Sequence, residues 1–250
     1  MKVVVIGGTG LIGSKVVAKL GEHGHEAVAA SPDTGVNTLT GEGLAEVLKG
    51  AQVVVDVSNS PSFERDAVLK FFQTSTTNLL KAEAEAGVGH HVALSIVGTE
   101  RMPDNGYFAA KIAQEQLIEK SGNPFSLVHA TQFFEFSRAI ADTATVDGKV
   151  RMPPVLFQPI AAEDVAQAVG KAAVSAPLNG HRQIAGPTQY RMDDFFRQAL
   201  AAWGDPREVV TDPQAQYYGT VPGERTLVPD DGAATLGTIT YRDWLATNKS

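Results

Sequence analysis

Short β-branched runs alternate with longer segments of helical spacing through the first half of this chain, the pattern of a parallel sheet with crossover helices. Val3, Val4, Val5 and Ile6 form a continuous apolar run, which predicts a strand buried on both faces. Leu11, Ile12, Val16, Val17 and Leu20 then recur at helical spacing up to Gly21 and Gly24, and residues 27–30 predict a second strand. Together these make one βαβ unit. A short third strand is expected at 36–38, then a helix through Leu44, Val47 and Leu48, and a fourth strand from Val53 to Val57. A helix over about 64–86 carries Val68, Phe71, Phe72, Leu79 and Leu80 and stops at Gly87. A fifth strand at 91–97, a helix at about 107–120 and a sixth strand at 125–129 complete this half.

From about residue 131 the rhythm loosens, because most of the 13 prolines fall here and break the chain into short elements. Helices remain legible at about 163–175 and 192–203, and 211–231 is expected to be rich in loops. No repeat, low-complexity linker or composition shift divides the chain, so residues 1–250 are read as one doubly wound, mainly parallel α/β domain. Its core would be 1–130, and 131–250 a small C-terminal region covering the substrate side.

Composition narrows the function. Apolar residues make up 43% of the 250, enough for a sizeable core, and the formal net charge of −7 opposes generic nucleic-acid binding. With no cysteine, disulfides, thiolate metal sites and cysteine nucleophiles are excluded together. The apolar run at 3–6 is too short for a signal peptide, and no run approaches the ~18 residues of a membrane span, so a cytoplasmic protein without membrane partners is expected. The histidine pairs His23/His25 and His90/His91 lack metal-ligand spacing and read as loop and strand-edge residues; no metal site is expected. Glu83 and Glu85 read as a solvated helix face.

Gly7, Gly10 and Gly13 stand between the first strand and the first helix as G-x-x-G-x-x-G. In that context one glycine permits the tight reversal, one lets a pyrophosphate approach the backbone, and one allows close packing of helix on strand. The ligand's charge would meet the exposed N–H groups at the helix N-terminus. Gly7, Thr9, Gly10, Leu11, Ile12 and Gly13 are therefore candidate dinucleotide-binding residues.

The segment Gly7-Gly8-Thr9-Gly10-Leu11-Ile12-Gly13 resembles that of the short-chain dehydrogenase/reductase superfamily, in its atypical, NmrA-like and epimerase-like branch. Later matches are Asn78-Leu79-Leu80 with Ala82, Glu163-Asp164-Val165-Ala166 and Ile184-Ala185-Gly186-Pro187. The resemblance implies a Rossmann fold and a nicotinamide dinucleotide. Ser31 stands where an acid selective for NAD is found in the family, and a hydroxyl there accommodates a 2′-phosphate, which favours NADP with NAD as the alternative. Against this, no lysine or arginine lies between Lys19 and Lys49, and Asp33 could turn back to the ribose diol.

Tyr107 and Lys111 are one helical turn apart on a predicted helix start, so both reach one small volume, and Ser95 lies in or at the end of the fifth strand. They resemble the superfamily's serine, tyrosine and lysine active site. That implies Tyr107 as proton donor in carbonyl reduction, Lys111 tuning it while binding the nicotinamide ribose, and Ser95 holding the substrate oxygen. The relay asparagine of commoner reductases has no clear counterpart, since Asn78 matches the structural N-L-L segment. Ser58 or Asn59 would meet a ribose, and Phe133, Phe134 and Phe136 could wall an apolar substrate pocket, although aromatics at that spacing also suit a core.

The function expected is NAD(P)H-dependent reduction of a small carbonyl or quinone-like acceptor, or the reverse oxidation, with a small-molecule substrate and the homo-oligomeric state left open. Two alternatives are an NmrA-like redox sensor without turnover and a nucleotide-sugar epimerase-like enzyme. The chain length counts against the epimerase, and the Ser95, Tyr107 and Lys111 set counts against the sensor.

Overall fold

The computed structural model describes residues 1–248. In chain order the elements are β1 (Lys2–Ile6), α1 (Leu11–Glu22), β2 (Glu26–Ala30), α2 (Leu44–Val47), β3 (Val53–Asp56), α3 (Arg65–Ala86), β4 (His90–Ile96), α4 (Gly106–Lys120) and β5 (Phe125–Ala130). There follow α5 (Ser137–Thr143), β6 (Thr145–Val146), β7 (Lys149–Met152), β8 (Leu156–Phe157), α6 (Ala162–Ala173), β9 (Gly180–Ala185), β10 (Tyr190–Arg191), α7 (Met192–Trp203), β11 (Val209–Thr211), β12 (Ala234–Leu236) and α8 (Tyr241–Thr247).

Seven strands form the central sheet in the order β12-β9-β5-β4-β3-β1-β2. β1 is parallel to both β2 and β3, with Val4 opposite Val28 on one side and Val54 on the other. Val3, Val4, Val5, Val54 and Val55 are fully buried, which is why these strands read as unbroken apolar runs rather than alternating ones. Each such side chain contributes roughly 1.5–3 kcal/mol of burial. The strand order places β1 beside β3 while β2 goes to the far edge, so the chain reverses its direction of winding at β1, where the glycine loop begins.

The expected strand at 36–38 does not form. Gly35, Gly41 and Gly43 all have positive φ and turn the chain repeatedly, leaving one isolated bridge between Asn37 and Glu42. Asn78 on α3 donates through Nδ2 to the carbonyls of Thr38 (2.8 Å) and Leu39 (3.1 Å), so it anchors this loop, in keeping with a structural N-L-L segment. Every later sheet strand therefore ranks one lower than the sequence suggests.

His90 and His91 are not loop or edge residues. Both are buried in β4, a central strand, and His91 Nδ1 lies 2.8 Å from Glu83 Oε1, itself fully buried on α3. Glu83 is thus no solvated face. It continues the buried stripe of Thr76, Leu79 and Leu80 at helical spacing, while Glu85 stays exposed.

The chain divides into two compact units: Met1–Ile96 with Gly106–His129 and Glu163–Arg182, and Val97–Asn105 with Ala130–Ala162 and the residues from Gln183 onward. The first carries most of the central sheet. Inside the second, β11-β7-β6 and β10-β8 form small separate sheets around a core of Phe157, Phe195 and Phe196. Short two- and three-residue strands of this kind leave little periodic signal, which is why only α7, with Met192, Phe195, Phe196, Ala199 and Leu200 buried, is legible there. No helix among the described residues is long and apolar enough to cross a membrane.

Candidate active site

The glycine loop joins β1 to α1 with three distinct constraints. A Cβ on Gly13 would lie 2.1 Å from the Gly7 carbonyl oxygen, so helix and loop touch there through backbone alone. Gly7 has φ +76°, and a Cβ on it would meet the Ser58 backbone at 2.9 Å. Gly10 differs: its Cβ would meet only the Gly7 carbonyl, at 3.3 Å, and it is exposed at the α1 N-terminus. No side chain caps that end of α1, so its first-turn N–H groups face outward. This cradle fits a pyrophosphate. Thr9 and Leu11 are exposed on the crest of the loop, whereas the Ile12 side chain is in the core and offers a ligand only its backbone.

At the end of β2, the Ser31 hydroxyl oxygen is buried and has no hydrogen-bond partner, while the Ser31 N–H donates to Thr34 Oγ1 at 2.9 Å. An orphaned hydroxyl in this position fits the ribose or 2′-phosphate end of a dinucleotide. Ser58 donates to Asp56 Oδ1 through its N–H (3.0 Å) and its hydroxyl (2.6 Å), which fixes the loop after β3 against Gly7.

On α4 the Tyr107 hydroxyl donates to Asn59 Oδ1 at 2.7 Å. Its ring lies 5.6 Å from that of Phe63 and 6.1 Å from that of Phe72. Lys111 shares Phe72 with it, holding its ammonium 4.4 Å over the ring centroid. Tyr107 and Lys111 therefore do share a helix face. Lys111 is only 4% exposed, and its ammonium donates to the Leu94 carbonyl at 2.8 Å and to Gln114 Oε1. Gln114 in turn donates to Asp56 Oδ2 at 3.0 Å. Burial pushes Lys111 down to about 8, against the Asp56 and Glu115 carboxylates, which favour its charge.

Ser95 is also buried, and its hydroxyl donates to Glu115 Oε1, two turns of α4 beyond Tyr107. The same carboxylate oxygen lies 3.4 Å from His129 Nε2, and the His129 ring stacks on that of the exposed His181 at 4.9 Å. Burial, with His181 and Lys111 nearby, pushes His129 down to about 4, so it is neutral at physiological pH. Asp56, Ser95 and His129 thus sit at or near the carboxyl ends of β3, β4 and β5 and make a buried polar seam with Lys111, Gln114 and Glu115 of α4. The three expected catalytic side chains line this seam and its mouth, with Tyr107 bonded to Asn59, Lys111 to Leu94 and Gln114, and Ser95 to Glu115.

Asn59 is among the ribose candidates of the sequence. Phe63, Phe72, Asp56, Gln114, Glu115 and His129 are not, although Gln114 and Glu115 follow Lys111 at the spacing that shares a helix face. In the second unit, Phe133 stacks on Phe136 at 5.4 Å, and Phe134 is 2% exposed against Tyr241 and Trp244. Phe134 is accordingly an aromatic core residue that also lines a cavity, and Phe136 is 45% exposed.

No protein-family model matches the chain. The photosystem II assembly factor Ycf39 of Synechocystis sp. is 22% identical over 149 residues, which span 54% of this chain and 46% of that protein. The match therefore spans about half the length of that relative. Among solved structures, the UDP-glucose 4-epimerase of Thermus thermophilus, in complex with NAD, superposes with a TM-score of 0.68 at 16% identity, covering 91% of this chain and 92% of its own. The dTDP-4-dehydrorhamnose reductase of Bacillus anthracis str. Ames, in complex with NADP, superposes with a TM-score of 0.69 at 14% identity, covering 99% and 92%. The chain has the doubly wound Rossmann fold of these NAD- and NADP-bound enzymes, as its sequence leads one to expect.

Proposed function

We propose that this chain is an NAD(P)H-dependent oxidoreductase acting on a small carbonyl or quinone-like acceptor, or in the reverse direction, with NADPH preferred. The observation that carries the reading is Tyr107 and Lys111 packed on the shared ring of Phe72, beside the carboxyl ends of β3 and β4, in a unit that also holds the glycine cradle. Gly7 to Gly13 would take the pyrophosphate, Ser31 the adenosine ribose end and Ser58 a ribose. The dinucleotide supplies the hydride.

Tyr107 has one proton, which the observed arrangement gives to Asn59 Oδ1, so its transfer to the substrate oxygen requires release of that bond. The Lys111 ammonium favours the phenolate left behind. Ser95 spends its only proton on Glu115, so in the observed arrangement Oγ can accept from a substrate hydroxyl but not donate to a carbonyl. Its assigned role in reduction requires release from Glu115.

That arrangement also supports a second reading, a dinucleotide-binding regulator without turnover, and the sequence match is to a protein named as an assembly factor. Turnover separates the two. Wild type is assayed with NADPH on a panel of aldehydes, ketones and quinones, beside Tyr107→Phe. The enzyme reading expects carbonyl turnover that falls by at least ~10²-fold in the variant with NADPH affinity unchanged; NADPH binding with no turnover supports the regulator. Ser31→Asp should reverse the preference for NADPH over NADH, and an unchanged preference would place the selective contacts elsewhere.

A further inference from the structure

The second unit contains a cavity of about 840 Å³, within the range of small-molecule sites, between α5, α7 and α8. None of its lining residues belongs to the glycine loop or to the Tyr107 and Lys111 group. Phe134, Trp203, Tyr241 and Trp244 line it, with the Tyr241 and Trp244 rings stacked at 5.8 Å and 14°.

Its charge is positive on balance, two guanidiniums against one carboxylate. Arg138 and Arg242 both line it, both are exposed, and neither is ion-paired among the described residues. Arg138 holds its guanidinium 4.6 Å over the Trp203 ring. Asp205 feels the Arg138 charge, but its carboxylate is bonded to Arg207 at 2.6 Å. The one carboxylate in the lining, Glu135, accepts from the Ala162 N–H at 3.1 Å and from Trp244 Nε1 at 2.9 Å, which holds it in place while leaving its charge. What remains is the second face of each indole, the first being covered by Arg138 on Trp203 and by Tyr241 on Trp244, beside two guanidiniums with donors to spare.

We propose that this cavity binds a planar aromatic carboxylate, its ring against Trp203 and Trp244 and its charge on Arg138 and Arg242. A neutral aromatic would leave both guanidiniums without a partner, and a small inorganic anion would leave the indole faces unused. An aromatic cation would meet two positive charges against the one carboxylate of Glu135.

The chain's two tryptophans, Trp203 and Trp244, both line the cavity, so intrinsic fluorescence reports on this site alone. Quenching is titrated with para-nitrobenzoate and with its neutral isostere para-nitrobenzyl alcohol, on wild type and on an Arg138→Gln, Arg242→Gln double variant. Saturable quenching is expected, tighter for the carboxylate by about tenfold or more, as charge-assisted hydrogen bonds require. In the double variant the two probes should become equal. Calorimetry of wild type with both probes gives the same comparison without relying on a variant. Equal affinity in wild type, a preference that survives in the double variant, or no saturable binding of either probe would each overturn the proposal. NADPH binding and turnover are measured separately, so failure here leaves the oxidoreductase reading standing.

Discussion

The phenol of Tyr107 and the side-chain amide of Asn59 are joined by a 2.7 Å hydrogen bond in which Tyr107 donates to Oδ1. Asn59 Oδ1 also accepts from the Ser60 N–H at 2.9 Å, so the amide is fixed by its own loop and holds the phenol in turn. Asn59 is then a positioning residue that holds the phenol by the proton Tyr107 must later release to the substrate. Asn59→Ala should lower kcat on a carbonyl substrate by about tenfold, less than Tyr107→Phe, and should have no further effect in the Tyr107→Phe background. A double-mutant cycle checks this, and additive losses would show that Asn59 acts independently of Tyr107.

Gly10 and Gly13 should fail in different ways. A Cβ at Gly13 would fall 2.1 Å from the Gly7 carbonyl oxygen, so Gly13→Val must displace backbone and should lower the melting temperature as well as NADPH affinity. At Gly10 the nearest atom is 3.3 Å away, so Gly10→Val should keep the fold and lose NADPH affinity, because its side chain occupies the approach to the α1 N-terminus. Thermal melts beside NADPH titrations separate the two, and full affinity in a folded Gly10→Val protein would remove the loop from the binding site.

The parallel core and the glycine loop are legible in the sequence because both leave a local signature: unbroken valine runs for strands buried on two faces, and glycines at a strand-to-helix turn. The polar seam is not. Asp56 ends the all-valine run of β3, and His129 lies next to the last residue of β5, where a carboxylate or imidazole at the inner end of a buried strand is itself a signal of a paired group. What pairs with each depends on which strand lies beside it, and that is set by sheet order rather than by spacing along the chain. Glu83 reads as solvated by residue type alone, yet its position after Thr76, Leu79 and Leu80 puts it on the buried stripe.

Lys111 gives the seam a pH signature. Burial has brought its ammonium down to about 8, so kcat/KM for carbonyl reduction should fall as pH rises through that value and the charge is lost. Asp56 and Glu115 both favour the ammonium, and Tyr107 and His129 are the other titratable groups of the site. Asp56→Asn should move the falling limb to lower pH, with cofactor affinity read separately by NADPH titration at low pH. An unmoved limb would mean that Lys111 does not set it.

Glu83 and His91 supply a stability effect independent of function. Burial alone would lower His91, but the adjacent Glu83 carboxylate, with the Asp56 charge, outweighs it and holds the imidazole above its ordinary 6.5. A histidine raised in the folded state contributes stability that is fully present below the unfolded value and is lost as pH climbs through the folded one. Without Glu83 the buried imidazole gives up its proton instead of remaining charged, so Glu83→Gln should be less stable than wild type wherever wild-type His91 is charged. Its neighbour His90 is pushed down to about 4 by burial and by His91, so it is neutral from about pH 6.5 upward and does not contribute there. Urea melts of wild type and Glu83→Gln at about pH 6.5 and about pH 9 should therefore show a difference that shrinks at the higher pH. A difference that does not depend on pH would mean that the pair is held by its 2.8 Å hydrogen bond alone, with His91 neutral throughout.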